Sequence, residues 1–527
     1  MNTSWWSKIY TPVVIALIFI AGMSVGRHFL SDNRFISIAN NGKLDKVLSY
    51  IEADYVDTVD VKTLEKQAIE DMIKNLDPHS AYISSEDYHA YVDPLLGNFD
   101  GIGIQFRMIR DSLTVMMPIM GGPSYHAGIL AGDKIVMAGE DTIAGCHMTS
   151  DDIIKKLKGE RGSLVHLKIH RAYVDSLLSF TVERDRIPTF SLDARFMLDD
   201  SIGYIKISKF SATTIQEFDD AMSFLLTSGM QKLILDLRGN SGGYLRAAIA
   251  LADTFLEDGK LIVYTKGKNR PEKRYYAKAH GDFEHQELIV LVDGNSASAS
   301  EIVAGAIQDN DRGQIVGRRS FGKGLVQEQL DFRDGSAIRL TVARYYSPTG
   351  RCIQRPYVDG TEAYYLDHFH KMLDDSSPQT DSIPDSLKYT TPMGKIVYGG
   401  GGIMPDVKIP LDTTLNYSLY NHIMRESILV EYAIDYYITH QLDLLDYTDV
   451  ADLAQRFIPK KEVYDDLIAK AKHQDIKMTQ KQVLNSRQVI MATFKAELAR
   501  LLFGDQAYYY IDVRDDKTIE ASMALLQ

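Results

Sequence analysis

The chain reads as a multidomain protein combining α+β and α/β architecture, and three patterns in its 527 residues carry that reading. Strand-like and helix-like segments alternate from 190 to 355, the mark of a layered α/β core. Before them, residues 97 to 187 hold short strands punctuated by glycine. Beyond 412 the chain is helical. The length suits roughly three or four domains, and 45% hydrophobic with 24% charged residues suits a folded core.

Residues 10–26 carry no charge, Lys8 precedes them, and Trp5-Trp6 suit a membrane interface. Residues 1–30 are expected to be a signal peptide or membrane anchor. No clean small-residue cleavage site follows, so an uncleaved anchor is favoured, and the body is exported either way. Residues 36–96 form an N-terminal helical domain: Leu44, Val47, Leu48 and Ile51 recur at helical spacing, as do Leu64, Ala68, Met72 and Ile73. In 97–187, Ser112–Met117, Lys134–Met137 and Leu164–Ile169 read as strands, and Thr149–Leu157 as a helix with a capping start. In the core, Ile202–Ile207, Lys232–Leu237, Leu261–Tyr264, Glu287–Val292 and Ala337–Ala343 read as strands. Thr214–Thr227, Leu245–Leu256 and Ala299–Gln308 read as helices. The polar, proline-dotted stretch 356–395 is expected to be a loop. In the 412–527 extension, Thr479-Gln-Lys-Gln482 is a capping box. It opens a helix with Ile490, Met491, Phe494, Leu498, Leu501 and Leu502 inward, ended by Gly504.

Net charge is −13 and pI near 5.6, which argues against a nucleic-acid partner. Two cysteines, Cys146 and Cys352, supply neither a disulfide framework nor metal-ligand spacing.

The chemistry concentrates in two short segments. Ser298 lies in Asn295-Ser-Ala-Ser-Ala-Ser-Glu301, directly after the apolar run Leu288-Ile-Val-Leu-Val292. A hydroxyl at a helix start sits beside free backbone N–H groups able to hold an oxyanion. The competing reading is a plain helix cap. Lys323 lies in Ser320-Phe-Gly-Lys-Gly-Leu-Val326, where glycine and apolar neighbours can desolvate it. A neutral lysine beside a serine is a general base for a nucleophile. Gly317–Gly324 also approaches a phosphate-binding loop, but Gly324 lacks the required hydroxyl and a strand-like stretch follows where a helix belongs. Gly239-Asn-Ser-Gly-Gly243 follows a strand as either a turn or an oxyanion donor. Gly399–Gly402 reads as a turn, and His280 and His285 as surface residues.

Ordered motifs then carry a resemblance: Leu76-Asp-Pro-His-Ser80, Phe99-Asp-Gly-Ile-Gly-Ile104, Leu235–Gly243, Ser296–Ile302, Phe321–Gln327, Leu340–Arg344 and Gly402–Val407. Over about residues 44–408 the chain resembles the carboxyl-terminal processing, or tail-specific, peptidases: Ser-Lys serine peptidases with an inserted PDZ domain. The resemblance implies a PDZ domain at 97–187 and a peptidase core at 188–411. It implies Ser298 as nucleophile, Lys323 as base and Gln327 as the group orienting the lysine. Backbone N–H of Ala299 and of Gly242 or Gly243 would form the oxyanion hole, and Asp309 would support the site. Gly101, Ile102, Gly103 and Ile104 would hold a peptide C-terminal carboxylate. No metal or organic cofactor is implied. Expected partners are protein or peptide C-termini and a membrane; the apolar stripes of the tail are expected to pack on the peptidase core or on a second subunit, with a homodimer the favoured use. The expected location is the bacterial periplasm, or the inner membrane facing it. The rival functions are a PDZ adaptor on an inactive peptidase fold and a nucleotide-binding protein.

Overall fold

The computed structural model describes residues 42–172, 174–278, 281, 283–373, 383–411 and 417–527. The expected anchor at 1–30 and His280 lie outside them. No helix among the described residues is long and apolar enough to cross a membrane.

Among the described residues, those up to Leu76 and those from Asp77 onward are separate compact units. In the first, helices span Lys43–Asp54 and Val61–Lys74. Asp60 caps the second by accepting from the N–H groups of Lys62 and Thr63. Leu44 and Val47 are exposed despite their helical spacing.

The second unit holds the sheets. Asn98–Gly101 pairs with Asp185–Pro188 and so ties together the two ends of a small β domain. Its main sheet runs Ile104–Ile109, Ser112–Pro118, Lys134–Ala138, Leu164–His170, Leu178–Glu183. Ile104–Ile109 is an edge strand, with Gly103 at φ 73° in the turn that starts it. Ile104, Phe106 and Met108 pack into the domain core, whereas Ile109 packs into a cluster with the C-terminal helices. That alternation is the two-residue period of a strand covered on both faces.

The central sheet has the order Leu192–Met197, Ile202–Ile207, Lys232–Asp236, Leu288–Val292, Gln314–Gly317, Val407–Lys408. The first pair is antiparallel and the other four are parallel. Every residue of Leu288–Val292 is buried, as expected of a parallel strand covered on both faces. On one face Leu233, Leu235, Val290 and Val292 meet the helices Thr214–Thr227, Leu245–Asp253 and Ala299–Asp309. On the other, Ile234, Ile289, Leu291 and Val316 meet Val513, Ile519 and Leu526 of the C-terminal extension. A second sheet pairs Ala337–Tyr346 with Leu325–Asp331, Ala81–Ile83 and Leu261–Lys266, which in turn pairs with Lys273–Tyr276.

Two expectations change. The stretch 356–395 contains a helix, Thr361–Leu373, and the first strand of a small hairpin, Lys388–Thr390, whose partner Ile396–Tyr398 follows it. The helical reading of 40–95 is broken by Ala81–Ile83, which pairs with Ala337–Arg339. Of the two expected surfaces for the extension, its apolar residues use the core of this chain, while Leu442, Leu445, Ile458 and Leu484 stay exposed. Its helices pack on the central sheet and on the β domain, with Gln105 donating to Asp505 (2.6 Å) and Arg110 paired with Glu431 (3.1 Å). The capping box forms as read: Thr479 accepts from Gln482 N–H, and the helix Gln480–Phe503 ends at Gly504. Cys146 and Cys352 are free thiols.

Candidate active site

Ser298 occupies the N-cap position of the helix Ala299–Asp309 with φ 54° and ψ −110°. An L-residue pays strain to sit there, and such strain persists where surrounding structure over-determines it. The surroundings do so. Ser296 Oγ donates to Leu237 O (2.8 Å) and Ser300 Oγ to Asn240 O (2.9 Å), and both residues are fully buried. Ala297 N–H donates to Asn240 O (2.9 Å). Two buried serines thus pin the turn to the Leu237–Asn240 segment, and Ser298 between them is only partly buried.

Lys323 follows Gly322, whose φ of 90° excludes an ordinary side chain. Gly322 also lies where an added Cβ would meet Gly402 N at 2.9 Å. The Gly399–Gly402 turn therefore packs beneath the lysine loop, a role its sequence did not suggest. Lys323 Nζ donates to Gln327 Oε1 (3.0 Å), and Gln327 Nε2 donates to His79 O (2.5 Å). Burial, reinforced by the positive Arg339, lowers the Lys323 pKa to about 8.

Two buried groups join the serine turn to the lysine loop. Glu301 accepts N–H bonds from Ser298 (2.8 Å), Gly322 (2.6 Å) and Lys323 (2.9 Å), and an O–H bond from Ser320 (2.6 Å). Burial raises its pKa against the pull of those four donors. The Tyr345 hydroxyl lies 2.7 Å from Lys323 O and 3.1 Å from Ser298 O. One carboxylate and one phenol thus fix both backbones.

Gly242 lies against Ser298: an added Cβ would stand 2.8 Å from Ser298 Cβ. Its N–H already donates to Asn240 Oδ1 (2.8 Å). The N–H groups of Gly243 and Ala299 make no hydrogen bond to another described residue. Asp309 sits at the far end of the Ser298 helix, about 16 Å away at 1.5 Å per residue. There it pairs with fully buried Arg351 (2.6 Å) and accepts from Thr349 Oγ1 (2.7 Å), holding the 347–355 loop rather than touching the dyad. His285 is exposed and lies 3.9 Å from Glu257.

Sequence reasoning gave no role to His79, Asp77, Glu301, Tyr345 or Tyr364. His79 is buried, its pKa lowered to about 4 by desolvation and then by Lys323. Asp77 Oδ1 accepts the N–H of His79 and of Ser80, both at 2.8 Å, and so shapes the turn that presents His79 O to Gln327. The Leu76–Ser80 motif was visible, but its target lies 248 residues on.

Family models match residues 201–363 as peptidase family S41, 101–185 as a PDZ domain, and 419–504 as a family of unknown function. A carboxy-terminal-processing protease of Bartonella bacilliformis is 33% identical over 350 residues, 64% of this chain and 80% of that protein. The carboxy-terminal processing protease CtpA of Bacillus subtilis is 33% identical over 314 residues, 59% of this chain and 66% of that protein. Among solved structures, a photosystem II D1 C-terminal processing protease is 24% identical with a TM-score of 0.36, covering 71% of this chain and 88% of that one. The likenesses define a serine-type peptidase that carries a PDZ domain. The chain belongs to peptidase family S41, with the carboxy-terminal processing proteases.

Proposed function

We propose that this peptidase cleaves by acyl transfer through a Ser298–Lys323 dyad, in the cell envelope, on proteins selected by their C-termini. The observation that carries it is the shared hold of Glu301 and Tyr345 on both residues, with Lys323 lowered to about 8. Neutral Lys323 Nζ takes the Ser298 hydroxyl proton as Oγ attacks the scissile carbonyl. The tetrahedral oxyanion is held by the N–H groups of Ala299 and Gly243, since Gly242 N–H is engaged by Asn240. The lysine then returns the proton to the leaving amine. A water, deprotonated by the Lys323 amine, attacks the acyl carbon, and the lysine passes that proton to Ser298 Oγ as the acyl group leaves. Gln327 keeps Nζ aimed, and His79 O keeps Gln327 aimed.

Gly101–Ile104 and the free edge of Ile104–Ile109 supply the carboxylate loop and the strand to which a peptide adds. The domain division 36–96, 97–187, 188–411 and 412–527 is the working description of these parts. Residues 1–30 would place the enzyme at the membrane, facing the periplasm.

Fluorophosphonate labelling and peptide cleavage by the parent and Ser298→Ala test the reading. Labelling and cleavage lost together support it, whereas full activity in Ser298→Ala rejects the nucleophile. Amidating the substrate C-terminus should slow cleavage. Equal rates would show that the PDZ loop does not select by tail.

A further inference from the structure

Arg355 is the buried cation that the proposed chemistry leaves unused. Its side chain is buried, and among the described residues none of its three guanidinium nitrogens has a hydrogen-bond partner. The acid paired with it, Asp367, stands 3.8 Å away on the half-exposed side of the helix Thr361–Leu373. Two aromatic rings flank the guanidinium carbon, Tyr364 at 4.1 Å and Phe321 at 4.6 Å from the ring centroids. Cation–π contact and the Asp367 ion pair partly offset burial, but among the described residues neither completes a hydrogen bond to the guanidinium.

The position of this group is fixed beside the lysine. Arg355 N–H donates to Gly322 O (3.0 Å), and Gly324 N–H donates to Gln354 Oε1 (2.8 Å), so residues 354 and 355 bracket Lys323. His79 stands edge-on to both Tyr364 and Phe321, and its ring nitrogen lies 3.2 Å from the Tyr364 hydroxyl. Guanidinium, two aromatic rings and a histidine thus form one wall next to the dyad. The nearby buried carboxylates are engaged elsewhere: Asp77 by His79 and Ser80, and Glu301 by its four donors. A planar fork of N–H donors matches a carboxylate bidentately.

We propose that Arg355 is a specificity residue that receives a carboxylate of the substrate next to the scissile bond. That carboxylate is either an Asp or Glu side chain or the free α-carboxylate of the chain end. The inference rests on Ser298 and Lys323 marking the catalytic centre.

The test uses the full chain with two matched peptide pairs, Glu against Gln beside the scissile bond and free against amidated C-terminus, on the parent, Arg355→Leu and Arg355→Lys. The reading is the ratio of kcat/KM within each pair. The parent should favour the acidic member of one pair by about tenfold, and that ratio should fall towards one in Arg355→Leu. The pair whose ratio falls in Arg355→Leu identifies the source of the carboxylate, since selection of the tail by the PDZ loop is unchanged in that variant. Arg355→Lys keeps the charge but loses the fork, so its ratio should fall between the two. It serves as the readout if the leucine variant does not fold. A parent with no preference in either pair, or variants that keep the parental ratio, overturns the proposal. Failure of the dyad itself shows separately, as cleavage retained in Ser298→Ala.

Discussion

Two buried charge clusters in this molecule answer burial differently: one is driven towards its neutral form and the other keeps its charge. Around Lys323, desolvation prevails: the amine meets a neutral amide, Gln327, and its pKa falls to about 8. Around Asp236, pairing prevails. Burial alone would raise this carboxyl, but Arg238 at 2.6 Å and Lys206 at 3.2 Å hold it well below the usual range. Tyr204 also donates to it (2.8 Å), and Arg238 reaches on to Asp516 of the C-terminal extension (2.6 Å). A buried charge with a full set of opposite partners stays charged and structural, and one given only a neutral acceptor becomes reactive. The paired cluster closes the sheet just before the Gly239–Gly243 turn and clamps the tail onto it. The unpaired cluster lies at the dyad.

The sharpest way to break this contrast is to remove one member of each cluster. Ser298→Ala should lose about 10⁴-fold or more in kcat with stability little changed. Lys323→Met should be comparably inactive, yet at pH 7 no less stable than the parent. The unfolded lysine binds a proton that the folded one sheds between pH 8 and 10.5, so below about 8 the parent carries the whole cost, about 3 kcal/mol. That cost disappears as pH rises through the unfolded value, and denaturant melts of both proteins at pH 7 and pH 10 check it. A Lys323→Met protein that melts far earlier at pH 7 would place the lysine in the structural class.

Arg238→Met should do the reverse. It removes the closer of the two cations from buried Asp236, leaving Lys206 and the Tyr204 hydroxyl, and frees Asp516, so about 3 kcal/mol of stability should be lost. A melt within 1 °C of the parent would show that the pairing contributes nothing. The pH profile is the next test. Activity should rise through about pH 8 as Lys323 deprotonates. A kcat flat from pH 6 to 10 would remove the lysine from the role of base. The smallest expected effects come from the flanking serines. Ser296→Ala and Ser300→Ala each leave a buried carbonyl short of a donor, costing about 1 kcal/mol while retaining activity. Loss of activity in either at unchanged stability would blur the distinction between Ser298 and its neighbours.

Strand and helix periodicity locates the core elements it reads to within a residue or three, and Thr214–Thr227 at both ends, because their apolar spacing is local, but it misses Leu192–Met197 and Gln314–Gly317 of the same central sheet. The exposed helix Thr361–Leu373 is missed because a polar stretch near proline offers little apolar rhythm, and only Tyr364 is deeply buried along its described part. At the site, Ser298, Lys323 and Gln327 stand in motifs that single them out. His79 could be found only by folding, since its contribution is a backbone carbonyl that any residue possesses.

By itself the sequence determined most of the elements, the two motifs that single out Ser298 and Lys323, and the family. The tertiary structure decided which groups are desolvated, and hence that Lys323 falls in pKa while Asp236 stays charged. It also decided where the extension goes. An amphipathic helix encodes that one face must be covered, not by what. The run Leu288–Val292, apolar at every position, already required cover on both faces of its sheet. That the second cover is Val513, Ile519 and Leu526 of the same chain depends on shape and contact between segments more than 200 residues apart, which periodicity does not record.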